Sequence, residues 1–371
     1  MNKLETLENI VLSVVEPAAE AVDREANFPR SAVSALGEAG LLGLISSPEV
    51  GGLGGSLADA SWVVSRLAQA CASTAMVVTM HYCATAVIEK YGNSDLRRDI
   101  AASRHLSTLA FWESGSRSHF WAPVSEAVAD GDGFLLTGSK TMVTSALEAV
   151  SYVWSSRPAQ AEGASTIWLL KSDSPGLTRP KPFDGLGLRG NASAPIIADK
   201  ARVSSSARLG ADGEGFAVMM NTVLPIFSVL NASCSVGIME SALTRASAHV
   251  SHTRLEHLGS SLADLPTLRA YLARARIRID SVKSLLKDTL EALAGEREDA
   301  MLLILEIKAA AAEAALDVTD IAMRVCGGAA FRKELAIERL FRDARAASVM
   351  APTSDVLFDL IGKALCGLPL F

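Results

Sequence analysis

The chain has 371 residues, of which 49% are apolar and 20% charged, and a formal net charge of -6. A chain of this length buries a sizeable core, in two or three lobes or in one merged helical unit, and its apolar excess excludes an intrinsically disordered protein. The acidic balance, with arginines spread among acids at helical spacing, excludes a basic face for nucleic acid.

The first stretch, MNKLETLENIVLSVVEPAAE, has acids on both sides of a short apolar run. It reads as an amphipathic helix and not a signal peptide, which predicts a cytoplasmic protein. Helical periodicity continues through SAVSALGEAGLLGL and ASWVVSRLAQACASTAMVV, so residues 1–110 are expected to form a helical domain. The glycines between Gly51 and Ser56 lack GxGxxG spacing and follow a helical pattern, so they read as an inter-helix loop and not a phosphate cradle. His81, in TMHYCATAV, is a core histidine or a proton donor.

Over residues 111–210 the pattern changes to short runs rich in β-branched and aromatic residues, among them AVADGDGFLLTGSKTMVTSA, VSYVWSS, STIWLLKSD and APIIADKARV. The turn signals DGDG and SDSPG predict antiparallel strands in a small sandwich or barrel. The entry segment LAFWESGSRSHF places Glu113, Gly115, Ser118 and His119 in a turn, where outward-facing amides can bind a flat ring or a thioester oxygen. Thr141 and Thr144 flank Met142 on a predicted strand.

The helical period returns over residues 211–371, in long stretches that close on Gly295 and on Gly327 and Gly328, and it calls for a bundle. The most apolar stretch, DAMLLILEIKAAAAEAALDV, carries Glu306, Lys308 and Glu313, so it reads as a core helix and not a membrane span. Glu338 with Arg342, and Arg339 with Asp343, stand at i,i+4 spacing, the pattern of a surface helix laced with ion pairs. The five cysteines are widely spaced and form no CxxC pair, so neither a zinc site nor a disulfide framework is expected, and no metal is assigned. The expected fold is α+β, mostly α: a helical domain, an antiparallel β domain and a helical bundle.

Taken together, these segments resemble the acyl-CoA dehydrogenase family along nearly the whole chain. SPEVGGLGG matches that family's Pro-Glu-x-Tyr-Gly-Gly-x-Gly, FWESGSRSHF its Thr-Glu-x-x-Ala-Gly-Ser-Asp, and TGSKTMVTSA its Gly-x-Lys-x-(Trp/Phe)-Ile-Thr-Asn. GLRGNASAPIIADKARV, DGEGFAVMM and CGGAAFRKELAIERLFRDAR follow in the family's order. The resemblance implies a helical domain, a β domain and a C-terminal four-helix bundle, with non-covalent FAD and a homodimer or homotetramer whose neighbouring subunit completes the site. By position, Trp112 and Thr144 would lie along the isoalloxazine, Ser118 near the thioester, and Thr353 against the cofactor. Gly327 and Gly328 would let the partner's backbone approach FAD, and Arg254 would meet the partner's pyrophosphate.

One departure bears on the chemistry. Where the family's dehydrogenases read Tyr-Glu-Gly-Thr, with the glutamate as base for the α proton, this chain reads Met350-Ala351-Pro352-Thr353. The alternative position for the base, on the helix over residues 217–236, holds no Asp, Glu, His, Lys or Arg, and Ser228 stands near the place of the arginine that often accompanies it. Three readings follow. The first is redox chemistry on an acyl thioester (CoA or carrier protein), with an electron acceptor as partner and with no base or one recruited from Glu113, His119 or Asp355. The second is a monooxygenase or N-hydroxylase fed by a flavin reductase, with His81 as proton donor, and the third is a non-catalytic or non-redox flavin-binding homologue.

Overall fold

The computed structural model describes residues 3–371; Met1 and Asn2, the start of the expected amphipathic helix, lie outside the described residues. The helical domain comprises α1 (Lys3–Ile10), a π turn (Val11–Val15), α2 (Glu16–Arg24), α3 (Arg30–Glu38), α4 (Leu57–Ala70), α5 (Ala72–Tyr91) and α6 (Ser94–Ala101). Helix α4 starts where Ser56 and Asp59 cap each other's backbone amides, which satisfies donors that a helix N-terminus leaves open.

The strands are β1 (Ser107–Ala110), β2 (Glu126–Asp130), β3 (Gly133–Val143), β4 (Ser151–Ser156), β5 (Thr166–Lys171), β6 (Leu177–Thr178) and β7 (Ala194–Ser204). They form two sheets, ordered β1-β4-β5 and β2-β3-β7-β6. The expectation of antiparallel strands needs one correction, because β1 pairs parallel with β4, Ser107 opposite Ser151. The four residues of β1 are all buried, so it shows no alternation, and it begins before the expected boundary at residue 111.

The C-terminal region runs through α7 (Gly215–Val218), a π turn (Met219–Val223), α8 (Leu224–His252), the short β8 (Arg254–Leu255) and β9 (Ser260–Ser261), α9 (Pro266–Ala294), α10 (Ala300–Cys326), α11 (Ile337–Val349) and α12 (Ser354–Leu365). Helix α8 packs against α4 on one side and against α9, α10 and α11 on the others. Its Leu224, Val229, Leu230, Val236 and Met239 join Val64, Leu67, Val78 and Ile304 in a single core. Each such side chain contributes roughly 1.5–3 kcal/mol on burial. The first and last helical regions therefore share one core, joined by Leu109, Val153 and Ile167 of the first sheet, and the sheets form a second cluster around Tyr152, Trp154 and Trp168.

The helix over Gly215–His252 is long and apolar enough to cross a membrane by length and composition, yet 89% of its most apolar window is buried inside the protein. Helix α11 also differs from its expectation. Glu338 and Arg342 do pair, at 2.7 Å, but Arg339 and Asp343 are both buried. Arg339 donates to the Ala70 carbonyl at 3.4 Å, and Asp343 accepts the Leu188 N–H at 2.6 Å. This face of α11 is an internal seam between the helical domain and the loop that leads into β7.

Gly237 lets α8 approach α4, because a Cβ there would stand 2.3 Å from the Ser65 carbonyl oxygen. Gly237→Ala should destabilise the protein by about 1–3 kcal/mol, whereas Gly362→Ala in α12, where a Cβ meets nothing within 4 Å, should be neutral or stabilising. Chemical denaturation of the two variants reads the opposite signs.

Candidate active site

A cavity of about 400 Å³ lies where α5, β1, the turn after β1, the end of β3, the loop before β7, α8 and the end of α11 meet. Its wall holds Met80, Leu109, Phe111, Phe120, Val223, Phe227, Met350 and Ala351, together with Trp112, Met142, Thr144, Phe183, Ser193 and Val349. Arg189 is the only charged side chain in the wall among the described residues, and its guanidinium is tied to Asp184 at 2.6 Å and to the Asp23 carbonyl at 2.9 Å.

Trp112, Thr144 and Ala351, expected near one another from sequence, line this one cavity. Ser118 and Thr353 form a clasp beside it. The Thr353 N–H donates to the Ser118 hydroxyl at 2.8 Å and the Ser118 hydroxyl donates to that of Thr353 at 3.1 Å. Ser118 thus holds the loop after α11 to the turn after β1. Arg254, Gly327 and Gly328 are not brought to the cavity. Arg254 is exposed and donates to the Gly259 carbonyl at 3.1 Å, and both glycines face open space.

The base candidates lie in different surroundings. Glu113 is buried and fully engaged: it accepts the Val124 N–H at 2.7 Å, the Ser125 N–H at 3.1 Å and the Ser125 hydroxyl at 2.6 Å, and it pairs with Lys140. Burial pulls the Lys140 ammonium down to about 8, but the carboxylate, the Ser155 carbonyl at 2.7 Å and the Ser155 hydroxyl at 2.9 Å all favour its charged form. His119 is exposed and packs edge-on against Trp121 at 5.2 Å. Asp355 is exposed in the first turn of α12, where the helix dipole accounts for it. His81 is buried behind the wall and accepts the Ser107 N–H through Nδ1 at 3.2 Å, and burial pulls its pKa down to about 4. The ring is therefore neutral near pH 7, with Nδ1 held to β1.

Sequence reasoning missed Lys308. Its Nζ is buried under the Ala351 loop and donates to the carbonyls of Ala347, Met350 and Pro352 at 3.2, 3.0 and 2.7 Å. It also lies 5.9 Å from the centroid of Phe227, a cavity-wall ring. A lone lysine in an alanine-rich helix carries no sequence signal of this contact. Beside it, the Asn231 amide donates to the Met350 sulfur at 3.4 Å.

The wall fits a flat aromatic cofactor. Met142, Phe183 and Val349 line the cavity, yet each keeps much of its apolar surface exposed. The Thr144 hydroxyl has only a long 3.5 Å contact to Ser193 and remains able to bond a ring edge.

Three family models of the acyl-CoA dehydrogenases match the chain: the N-terminal domain over residues 4–102, the middle domain over 108–201 and the C-terminal domain over 213–366. The bovine mitochondrial short-chain specific acyl-CoA dehydrogenase is 30% identical over 354 residues, covering 92% of this chain and 83% of the relative. Butyryl-CoA dehydrogenase of Megasphaera elsdenii superposes with a TM-score of 0.92 at 20% identity, covering 98% of this chain and 97% of its own. A prolyl acyl carrier protein oxidase superposes at 0.89 and 19% identity, covering 98% of each chain. At these identities the two structures show the shared fold.

Two outcomes test this geometry. Glu113→Gln leaves Lys140 as an uncompensated buried charge and should cost about 3–5 kcal/mol in a denaturant titration. For His81, the folded pKa of about 4 lies below the unfolded value of 6.5, so its contribution is fully present above pH 6.5 and is lost as pH falls through 4, on the order of 3 kcal/mol in all. His81→Asn, which retains an acceptor for the Ser107 N–H, should flatten the pH dependence of unfolding between those limits.

Proposed function

The chain belongs to the acyl-CoA dehydrogenase family of FAD-dependent oxidoreductases that act on acyl thioesters, and from that premise we propose that this member works without a protein base for the α proton. When bound, FAD accepts the two electrons and the β hydrogen that leave the acyl group as its Cα–Cβ double bond forms. The residues left to the protein are those that bind, orient and dry the thioester. Trp112 and Thr144 would border the ring, and Leu109, Phe111, Phe120 and Phe227 would enclose the acyl group. A cavity of about 400 Å³ lies within the range of ligand sites, and ring and acyl group would share it.

The observation that carries the reading is the methyl of Ala351 at the cavity wall, with no carboxylate, histidine or lysine beside it in the lining among the described residues. A positioned base contributes typically 10²–10⁴ in rate. A saturated thioester would therefore turn over slowly, and the substrates served would be those whose α C–H is already acidic, releasing the proton to water at the exposed rim around Val349. Arg254, Gly327 and Gly328 face solvent in the single chain, which suits a role toward the cofactor of a neighbouring subunit.

Ala351→Glu tests the proposal. With FAD bound and an artificial electron acceptor present, the variant should oxidise a saturated short-chain acyl-CoA on the order of 10²–10⁴ times faster than the parent. An unchanged rate would contradict it.

A further inference from the structure

Helix α12 ends in a left-handed turn that sends the chain back over the cavity. Gly367 has φ +67°, its N–H donates to the Ala364 carbonyl at 3.1 Å, and the Leu368 N–H donates to the Lys363 carbonyl at 2.9 Å. That pair of bonds reverses a chain at a helix end, and Pro369 narrows the conformations that follow. Phe371 is thereby carried onto the turn after β1, its ring edge-on to Trp121 and to Phe216 of α7, with centroids 5.1 and 5.5 Å away. Trp121 is edge-on to Phe120 at 5.3 Å, and Phe120 stacks on Phe111 at 6.3 Å with 5° between the planes.

These rings make a wall two layers deep. Phe111 and Phe120 line the cavity, whereas Trp121 and Phe371 stand outside it. The inner Phe120 is 6% exposed and the outer Phe371 48%. Among the described residues, the segment 369–371 makes no hydrogen bond to the body of the protein, so its hold is apolar. Two residues before Phe120, by contrast, the backbone is anchored through the Ser118 and Thr353 clasp. The rings can therefore swing on a fixed turn. The flavin would take the side of the cavity bordered by Trp112 and Thr144, so the sulfur-linked arm of a thioester has to pass through another part of the wall.

We propose that Phe120, Trp121 and Phe371 form a gate, with Phe371 as its outer latch, through which a thioester enters and leaves the cavity. The inference rests on the reading that a thioester occupies this cavity, and not on the absence of a base. Each aromatic pair is a weak contact, strong enough to keep the gate shut most of the time and weak enough to open within a catalytic cycle.

The test is stopped-flow binding of crotonyl-CoA to the FAD-loaded protein, followed by the flavin absorbance. Crotonyl-CoA has no saturated Cα–Cβ bond to oxidise, so no proton transfer enters the result. Phe371→Ala should raise the association and dissociation rates together by about tenfold, the loss of about 1.4 kcal/mol of latch contacts. The dissociation constant should stay within about twofold, because Phe371 does not line the cavity. Phe371→Tyr, which keeps the ring, should retain the parent rates. Unchanged rates in the alanine variant overturn the proposal, and so does faster dissociation alone with weaker affinity, the mark of a structural or ligand-contacting ring. Should the alanine variant fail to fold, Pro369→Gly decides: it leaves every ring in place but loosens the segment, and should accelerate both rates, whereas unchanged rates overturn the gate. The parent's affinity for crotonyl-CoA reports whether a thioester occupies the cavity; the change in rates alone reports on the gate.

Discussion

Helix α8 has to be apolar because of where it runs. It passes through the middle of the helical core, between α4 and the other bundle helices, and Leu224, Val229, Leu230, Val236 and Met239 are buried along it. A carboxylate or guanidinium in this setting would lose several kcal/mol of hydration with no partner to restore it. The same burial fuses the first and last helical regions into one core and thereby fixes α5 and β1 as walls of the cavity. Architecture and chemistry are linked here, because residues 217–236 contain no group able to take a proton.

The opposite wall is held by polar contacts. Lys308 gathers three carbonyls at the end of α11, Asn231 donates to the Met350 sulfur, and Ser118 clasps Thr353. These bonds set the loop at Ala351 against the cavity whether or not a carboxylate stands there. The frame of the family is thus kept with Ala351 at the cavity wall, and the base-free reaction proposed above would favour substrates that part with the α proton easily. Glu113, next in sequence to Trp112 of the cavity wall, is committed to Lys140 and to the amides of Val124 and Ser125, so it fixes the turn after β1.

Much of this was legible in the sequence. The alternation of helical and strand periods gives the three regions, and motif positions bring Trp112, Thr144 and Ala351 to one cavity. What stayed hidden has physical reasons. Strand β1 is buried on both faces, so its residues do not alternate, and parallel pairing leaves no turn signal. Arg339 and Asp343 have surface-helix spacing, but spacing does not reveal that a neighbouring helix and loop will cover them. Lys308 reads as an ordinary helical lysine because its partners are backbone carbonyls 39–44 residues away. Arg254, Gly327 and Gly328 face outward, where one chain offers them no partner in the cavity.

The most direct measurement is a single anaerobic mixing of the FAD-loaded parent protein with a saturated short-chain acyl-CoA, following the flavin absorbance in time. A base-free cavity predicts bleaching slower by about 10²–10⁴ than in a relative that carries the glutamate. Bleaching at the relative's rate would contradict the account, since some group in the protein would then be taking the α proton.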